Sequence, residues 1–290
     1  MSIYDIIGTR RRVLLNLADY GLPEVPLLGV NIQSSATNEL EQHVHRGCLE
    51  LVYMIRGRQV FTVGGREYHV SGNQIFLTQP DVPHGSGSYI MQRSLFYWLH
   101  VYLPPTPQSI LSLTNRESLL LADALGGIGS CMFNGDKKIE VLFEELFKIA
   151  FSPGADLQRL SMSSRLTELL LRVVECSRRE DSVTVTAELQ RVLDLLEANP
   201  DRYFSVDELA AAAGLSASRF KAKFKRRVGI PPAEYQLRKK IDNASQLLSR
   251  TSKSVTDIAY SLGFSSSQYF ATVFKRYTMK TPIQYRRDSR

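Results

Sequence analysis

Residues 205–228, SVDELAAAAGLSASRFKAKFKRRV, and residues 254–278, SVTDIAYSLGFSSSQYFATVFKRYT, follow one plan. From Ser205 and Ser254 the two runs agree at an offset of 49. An acid stands at Glu208 and Asp257, an apolar residue at Leu209 and Ile258, an alanine at Ala210 and Ala259, and a glycine at Gly214 and Gly263. One residue is then inserted. Phe220, Phe224-Lys225-Arg226, Pro232 and Tyr235 correspond to Phe270, Phe274-Lys275-Arg276, Pro282 and Tyr285. Internal repetition constrains architecture more strongly than local propensity does.

Each copy has its own physical logic. Ser205 or Ser254 can cap a short helix, the alanine lets a second helix approach closely, and the glycine can take the left-handed conformation that stops the first helix. A second serine, Ser216 or the pair Ser265/Ser266, caps a new helix with an inner face of phenylalanines at i and i+4. The product is helix, glycine turn, helix. A long helix from Pro231 or Pro232 to Leu248, carrying Ala233, Tyr235, Leu237, Ile241 and Ala244, is expected to join the copies. Their second helices could then enter successive major grooves roughly 34 Å apart.

Charge agrees with that geometry. The 290 residues carry a net +7, but from Thr186 onward there are 19 Lys and Arg against 10 Asp and Glu, so the rest of the chain is slightly acidic. Arg219 to Arg227 holds six cations in nine residues and no acid, a pattern suited to phosphate. Hydrophobic residues at 43% and charged residues at 22% describe a globular protein. No apolar run is long enough to span a bilayer and the N-terminus lacks a signal-peptide pattern, so a cytoplasmic protein without membrane contact is expected. Cys48, Cys131 and Cys176 are scattered and read as reduced thiols, with no sign of an activated nucleophile.

The first hundred residues read as short strands broken by turns: Leu27–Ile32, Glu50–Ile55, Arg58–Val63, Arg66–Val70, Gln74–Leu77 and Leu95–Leu103. Gly64-Gly65 suits a two-residue hairpin turn. Many short antiparallel strands suggest a barrel or jelly roll. After Pro104-Pro105-Thr106-Pro107 the period becomes helical, in Glu117–Leu125, Lys138–Phe151 and Leu157–Cys176. The last segment carries the stripe Leu160, Leu166, Leu169, Leu170, Val173 and Val174, which suits intramolecular core or a helix–helix dimer contact. Ser177–Ser182 reads as a linker. The expected class is α+β: residues 1–110 a β-barrel with an N-terminal arm, 111–180 a helical segment open to dimerisation, and 186–290 an all-α DNA-binding domain.

HVHRGCLE places His43 and His45 two residues apart, ahead of Glu50; PDVPH ends at His84. Residues i and i+2 on a strand share a face, so three imidazoles and a carboxylate can converge inside a barrel, a ligand set for a divalent transition metal. Along Leu95–Leu103, Phe96, Trp98, His100 and Tyr102 share one face. Trp98 and His100 there are either packing residues or, with His and Glu donors, part of a sugar-binding surface. The pocket is read as a metal site or as a metal-free polar pocket.

The segment Asp257–Arg287, DIAYSLGFSSSQYFATVFKRYTMKTPIQYRR, resembles the signature of AraC/XylS-family transcription regulators, whose C-terminal domain the chain resembles from Glu188 to Arg287. Met279 departs from that family's usual glycine. The spacing HxH(x4)E(x6)G, followed by PxxPH, is similar to the cupin pattern, as are the sensor domains of this family. The resemblance implies a ligand-responsive DNA-binding regulator and not an enzyme. Its expected action is activation of carbohydrate or other small-molecule catabolic genes, with double-stranded DNA, a sugar or related effector, RNA polymerase and a second copy of the chain as partners. A metal-dependent cupin enzyme, oxygenase or isomerase, fused to a DNA-binding domain is the alternative.

By position and by this resemblance, Ser218, Lys221 and Ala222 in the first copy and Ser267, Gln268, Ala271 and Thr272 in the second are the expected base readers. The amide of Gln268 matches adenine, and an alanine can meet a thymine methyl. Lys223, Arg226, Lys239, Lys275 and Arg276 are expected on phosphates, where they position without specifying. The first recognition helix is strongly cationic and the second polar, so discrimination should depend more on the second.

Overall fold

The longest strand, β4 (Cys48–Val63), serves two leaves of sheet. The sequence reading broke it at Arg56-Gly57, but the strand runs on through a register shift between Met54 and Arg56, with Gly57 at φ +100°. Glycine tolerates that conformation, and such an irregularity bends a strand without ending it. The structure is a computed structural model that describes residues 11–103, 109–152, 157–179, 187–199 and 202–289. The expected N-terminal arm up to Arg10, the proline-rich break and the end of the Ser177–Ser182 linker lie outside the described residues.

The first part of β4 pairs with β6 (Gln74–Thr78) and β9 (Ser94–Tyr102), and its last part with β5 (Arg66–Ser71) and β7 (His84–Gly85). Beyond β9 come β2 (Leu27–Gln33) and β1 (Arg12–Leu15); beyond β6 comes β10 (Met132–Asn134). These pairs are antiparallel. Gly64 and Gly65 both have positive φ, +56° and +79°, as the tight β4–β5 turn requires.

Alternation along β9 divides the sheet's faces as its sequence implies. Leu95, Tyr97, Leu99 and Val101 join Leu49, Leu51 and Tyr53 in a core shared with three helices, α1 (Asn115–Gly126), α2 (Lys137–Phe151) and α3 (Gln158–Ser177). Phe143 of α2 stacks 4.7 Å from Tyr97. Burying each such aromatic contributes about 1.5–3 kcal/mol. Five of the six residues in the α3 stripe are buried in this core; Leu160 lies off it and is 55% exposed. The opposite face carries Glu50, Phe96, Trp98 and His100, and Phe61 of the second leaf stacks 4.5 Å from Phe76.

The chain groups into two units. The first comprises Met1–Gln33, Glu39–Tyr89 and Ser94–Val183; the second comprises Ser34–Asn38, Ile90–Arg93 and Thr184–Arg290. The second unit includes, apart from Glu39, a small ribbon formed by β3 (Thr37–Glu39) and β8 (Ile90–Met91). Its helices are α4 (Ala187–Ala198), α5 (Val206–Ala213), α6 (Ala217–Val228), α7 (Pro232–Arg250), α8 (Val255–Ser261), α9 (Ser267–Thr278) and α10 (Pro282–Asp288).

Candidate functional site

The two repeats fold alike. Ser205 and Ser254 cap α5 and α8 through reciprocal capping boxes with Glu208 and Asp257. Gly214 (φ +66°) and Gly263 (φ +71°) make the left-handed turns after them. Ser216 caps α6, and Ser266 caps α9. Phe220 and Phe224 are fully buried in one core, Phe270 and Phe274 in another. The aromatic geometry is itself repeated: Phe224 meets Tyr235 at 5.7 Å and Phe274 meets Tyr285 at 5.4 Å, both edge to face. This packing fixes which sides of α6 and α9 remain outward.

On α6, Ser218, Lys221 and Ala222 are exposed. On α9, Gln268 and Thr272 are exposed, while Ser267 and Ala271 are half-buried. Lys275 and Arg276 are exposed on α9. Lys223 is half-buried and pairs with Glu188 at 3.3 Å, and Lys239 pairs with Glu197 at 3.4 Å, so a phosphate would compete with a carboxylate for either ammonium. The side chain of Arg226 lies outside the described residues. The outward side of α6 is thus cationic and that of α9 polar, which suits phosphate attraction at one helix and base-edge contact at the other.

In the first unit, an isolated bridge pairs the backbones of His43 and His84, and β4 and β9 supply Glu50 and His100 in register. The His84 ring donates from Nδ1 to the Val82 carbonyl at 2.9 Å, and its Nε2 lies 2.7 Å from Glu50 Oε2. His100 Nε2 lies 3.3 Å from the other oxygen, Oε1. His43 donates from Nδ1 to the Glu41 carbonyl at 2.8 Å. His45 Nε2 is buried with no hydrogen-bond partner, 3.8 Å from Glu50 Oε2. Ring centroids of His45 and His100 are 3.9 Å apart.

These environments set the charges. Burial, then the neighbouring His100, pushes the His45 imidazole down to about 4, although Glu50 opposes this. Burial would raise the Glu50 carboxyl, but hydrogen bonds from His100 and His84 hold it well below the usual range. Burial would lower His84, but its hydrogen bonds to Glu50 and to the Val82 carbonyl raise it instead. Ligand atoms of His43, His45, Glu50 and His84 all lie within 4.8 Å of one another, so this fourfold set converges as its spacing implies. Trp98 shares the face but is 7% exposed. The Arg12 guanidinium sits 5.4 Å from its ring centroid, and a Cβ on Gly29 would lie 2.4 Å from the indole.

A family model described as an AraC-like ligand binding domain matches residues 32–170, and one described as a helix-turn-helix domain matches residues 209–288. Together they span about three quarters of the chain. The chain belongs to the AraC family. Curated relatives include the probable transcriptional regulator LumQ of Photobacterium leiognathi, 38% identical over 31% of this chain and 36% of its own length. The HTH-type transcriptional regulator MtrA of Neisseria gonorrhoeae is 32% identical over 34% of this chain and 32% of its own length. The chain therefore spans about a third of the length of each. A solved AraC-type regulator structure from Chromobacterium violaceum is 32% identical, with a TM-score of 0.34, over 35% of this chain and 91% of that one.

Two features of this AraC-family chain escaped the sequence. The carbonyls of Glu41 and Val82 orient His43 and His84, yet every residue carries a carbonyl, so no residue type announces that role. The cover over Trp98 comes from β1 and β2, and β1 was not recognised as a strand. Among the described residues, no helix is long and apolar enough to cross a membrane.

Proposed function

We propose that this protein is a cytoplasmic, ligand-responsive transcription regulator that activates catabolic genes for a carbohydrate or related small molecule, reading its operator mainly through α9. The observation that carries the DNA reading is the duplication itself: two capped helix-turn-helix units on fully buried phenylalanine pairs, joined by the 19-residue α7. Ser218, Lys221 and Ala222 on α6, and Ser267, Gln268, Ala271 and Thr272 on α9, are the proposed base contacts. Lys223, Arg226, Lys239, Lys275 and Arg276 are the proposed phosphate contacts. The effector reading is supported by four imidazoles and Glu50 gathered on the face that carries Trp98. Pairing of two copies is supported by Leu157, Leu160 and Leu171, which are 64%, 55% and 51% exposed on or beside α3. RNA polymerase is the proposed partner at the promoter.

Selection from random DNA duplexes tests the core of this proposal. The enriched site should span about two helical turns. Gln268→Ala should relax one base position by about 1–3 kcal/mol of discrimination while leaving the half-site of the first unit intact. Enrichment of no sequence, or of one short half-site indifferent to Gln268→Ala, would count against it. A thermal-shift screen of sugars and sugar acids addresses the effector; stabilisation by none of them would remove the carbohydrate assignment.

A further inference from the structure

Four of the chain's five histidines meet around one carboxylate. The side chain of Glu50 is only 12% exposed, and among the described residues its side-chain partners are His45, His84 and His100, with no Lys or Arg. Buried carboxylates are ordinarily paired with a permanent cation or coordinate a metal.

Ring orientation points the same way. His43 and His84 each commit Nδ1 to a backbone carbonyl, which fixes that nitrogen as the protonated one and leaves Nε2 to face the cluster. Metal-ligating histidines are typically held in this way, by a carbonyl behind the ring. Among the described residues, His45 presents a buried Nε2 with no hydrogen-bond partner. The contact of 2.7 Å between His84 Nε2 and Glu50 Oε2 requires a proton between them, because Nδ1 of the same ring already donates elsewhere. A cation at that point would take the proton's place. Ligand atoms within 4.8 Å of one another need only a small contraction to surround an ion at about 2.0–2.2 Å.

We propose that the sensor unit is a metal centre, in which Nε2 of His43, His45 and His84 and Oε2 of Glu50 hold a divalent first-row transition ion. Three imidazoles and one carboxylate, without thiolate, select ions between Mn2+ and Zn2+ over Mg2+ or Cu+. His100 stays outside the coordination set and holds Oε1, so it is a positioning residue. Binding releases the proton shared by His84 and Glu50 to solvent. With four protein donors, an octahedral ion keeps two positions for water or for adjacent oxygens of an effector. The regulatory meaning of the centre rests on the reading of this unit as a sensor; the metal site does not.

The test uses the full-length chain without a histidine tag, stripped by a chelator and then titrated with Co2+. Visible absorption and metal analysis should report one ion per chain. Glu50→Gln and His45→Ala should each weaken uptake on the order of 100-fold or more, and His100→Ala about 10-fold with a shifted visible spectrum. Circular dichroism of each variant separates loss of ligand from loss of fold, and Glu50→Gln keeps the shape of the side chain. Absence of stoichiometric uptake, or uptake unchanged in folded Glu50→Gln, overturns the proposal. Binding of the selected operator is measured in parallel with and without chelator. Failure there removes the regulator reading and leaves the metal result standing, and the reverse outcome is equally distinguishable.

Discussion

Met279 ends α9 at φ +66°, the left-handed region where a β-carbon crowds the following carbonyl. Its counterpart in the first repeat, Gly229, makes the same turn at φ +83° without a side chain. In the sequence, a methionine opposite Gly229 leaves two outcomes open, a helix end that tolerates a non-glycine residue or a different exit. The chain keeps the turn and does not find another exit. Met279→Gly should therefore stabilise the second repeat by about 0.5–1 kcal/mol, the relief of strain exceeding the entropy that glycine adds to the unfolded chain. The check is a rise in the urea midpoint at unchanged slope. The histidine cluster was equally legible in its composition, since spacing alone brought His43, His45, Glu50 and His84 together. What spacing could not supply was which ring nitrogen faces inward, because that depends on carbonyls two residues away from His43 and His84.

Helices were read more faithfully than strands. The periods of α2, α3 and α7 extend over many residues and average out local noise, whereas β10 is three residues long and draws its place from pairing with β6. β4 was divided because a glycine inside a run ordinarily marks a turn, and here it marks a bend. The joint between α2 and α3 was also missed, since it depends on one side chain. Asp136 caps α2 through Oδ1, and its Oδ2 accepts from Arg172 of α3 and from Arg179. Burial would raise the Asp136 carboxyl, but the Arg172 guanidinium and then Arg179 hold it below the usual value. A carboxyl depressed in the folded state adds stability above its unfolded pKa of about 3.9, and that stability is lost as pH falls through the folded value. Asp136→Asn keeps a capping oxygen but removes the charge. It should cost about 1 kcal/mol at neutral pH and progressively less as the medium is made acidic enough to protonate the folded carboxyl, read as converging denaturation curves.

At the scale of the whole molecule, charge and architecture divide at the same place. The helical repeats carry all of the net positive charge, and the sheet with its three helices carries none of it. The double helix-turn-helix was legible almost entirely, because local periods, caps and a repeat all specify it. The sheet was legible as strands but not as a topology, because its pairings are remote in sequence: Leu27 lies beside His100, and Cys48 beside Tyr102. That remoteness has a kinetic consequence. Closing loops of fifty to seventy residues before any contact rewards them makes such a sheet slow to form, whereas helix hairpins assemble from neighbours. Trp98 is the chain's only tryptophan and sits in the sheet, so its fluorescence reports that unit alone. After dilution from denaturant it should recover in a slower phase than the bulk of the far-ultraviolet helical signal; a single shared phase would contradict this. The strand β4, by gathering partners from both directions along the chain, would make the half that leaves the ribosome first the half that finishes folding last.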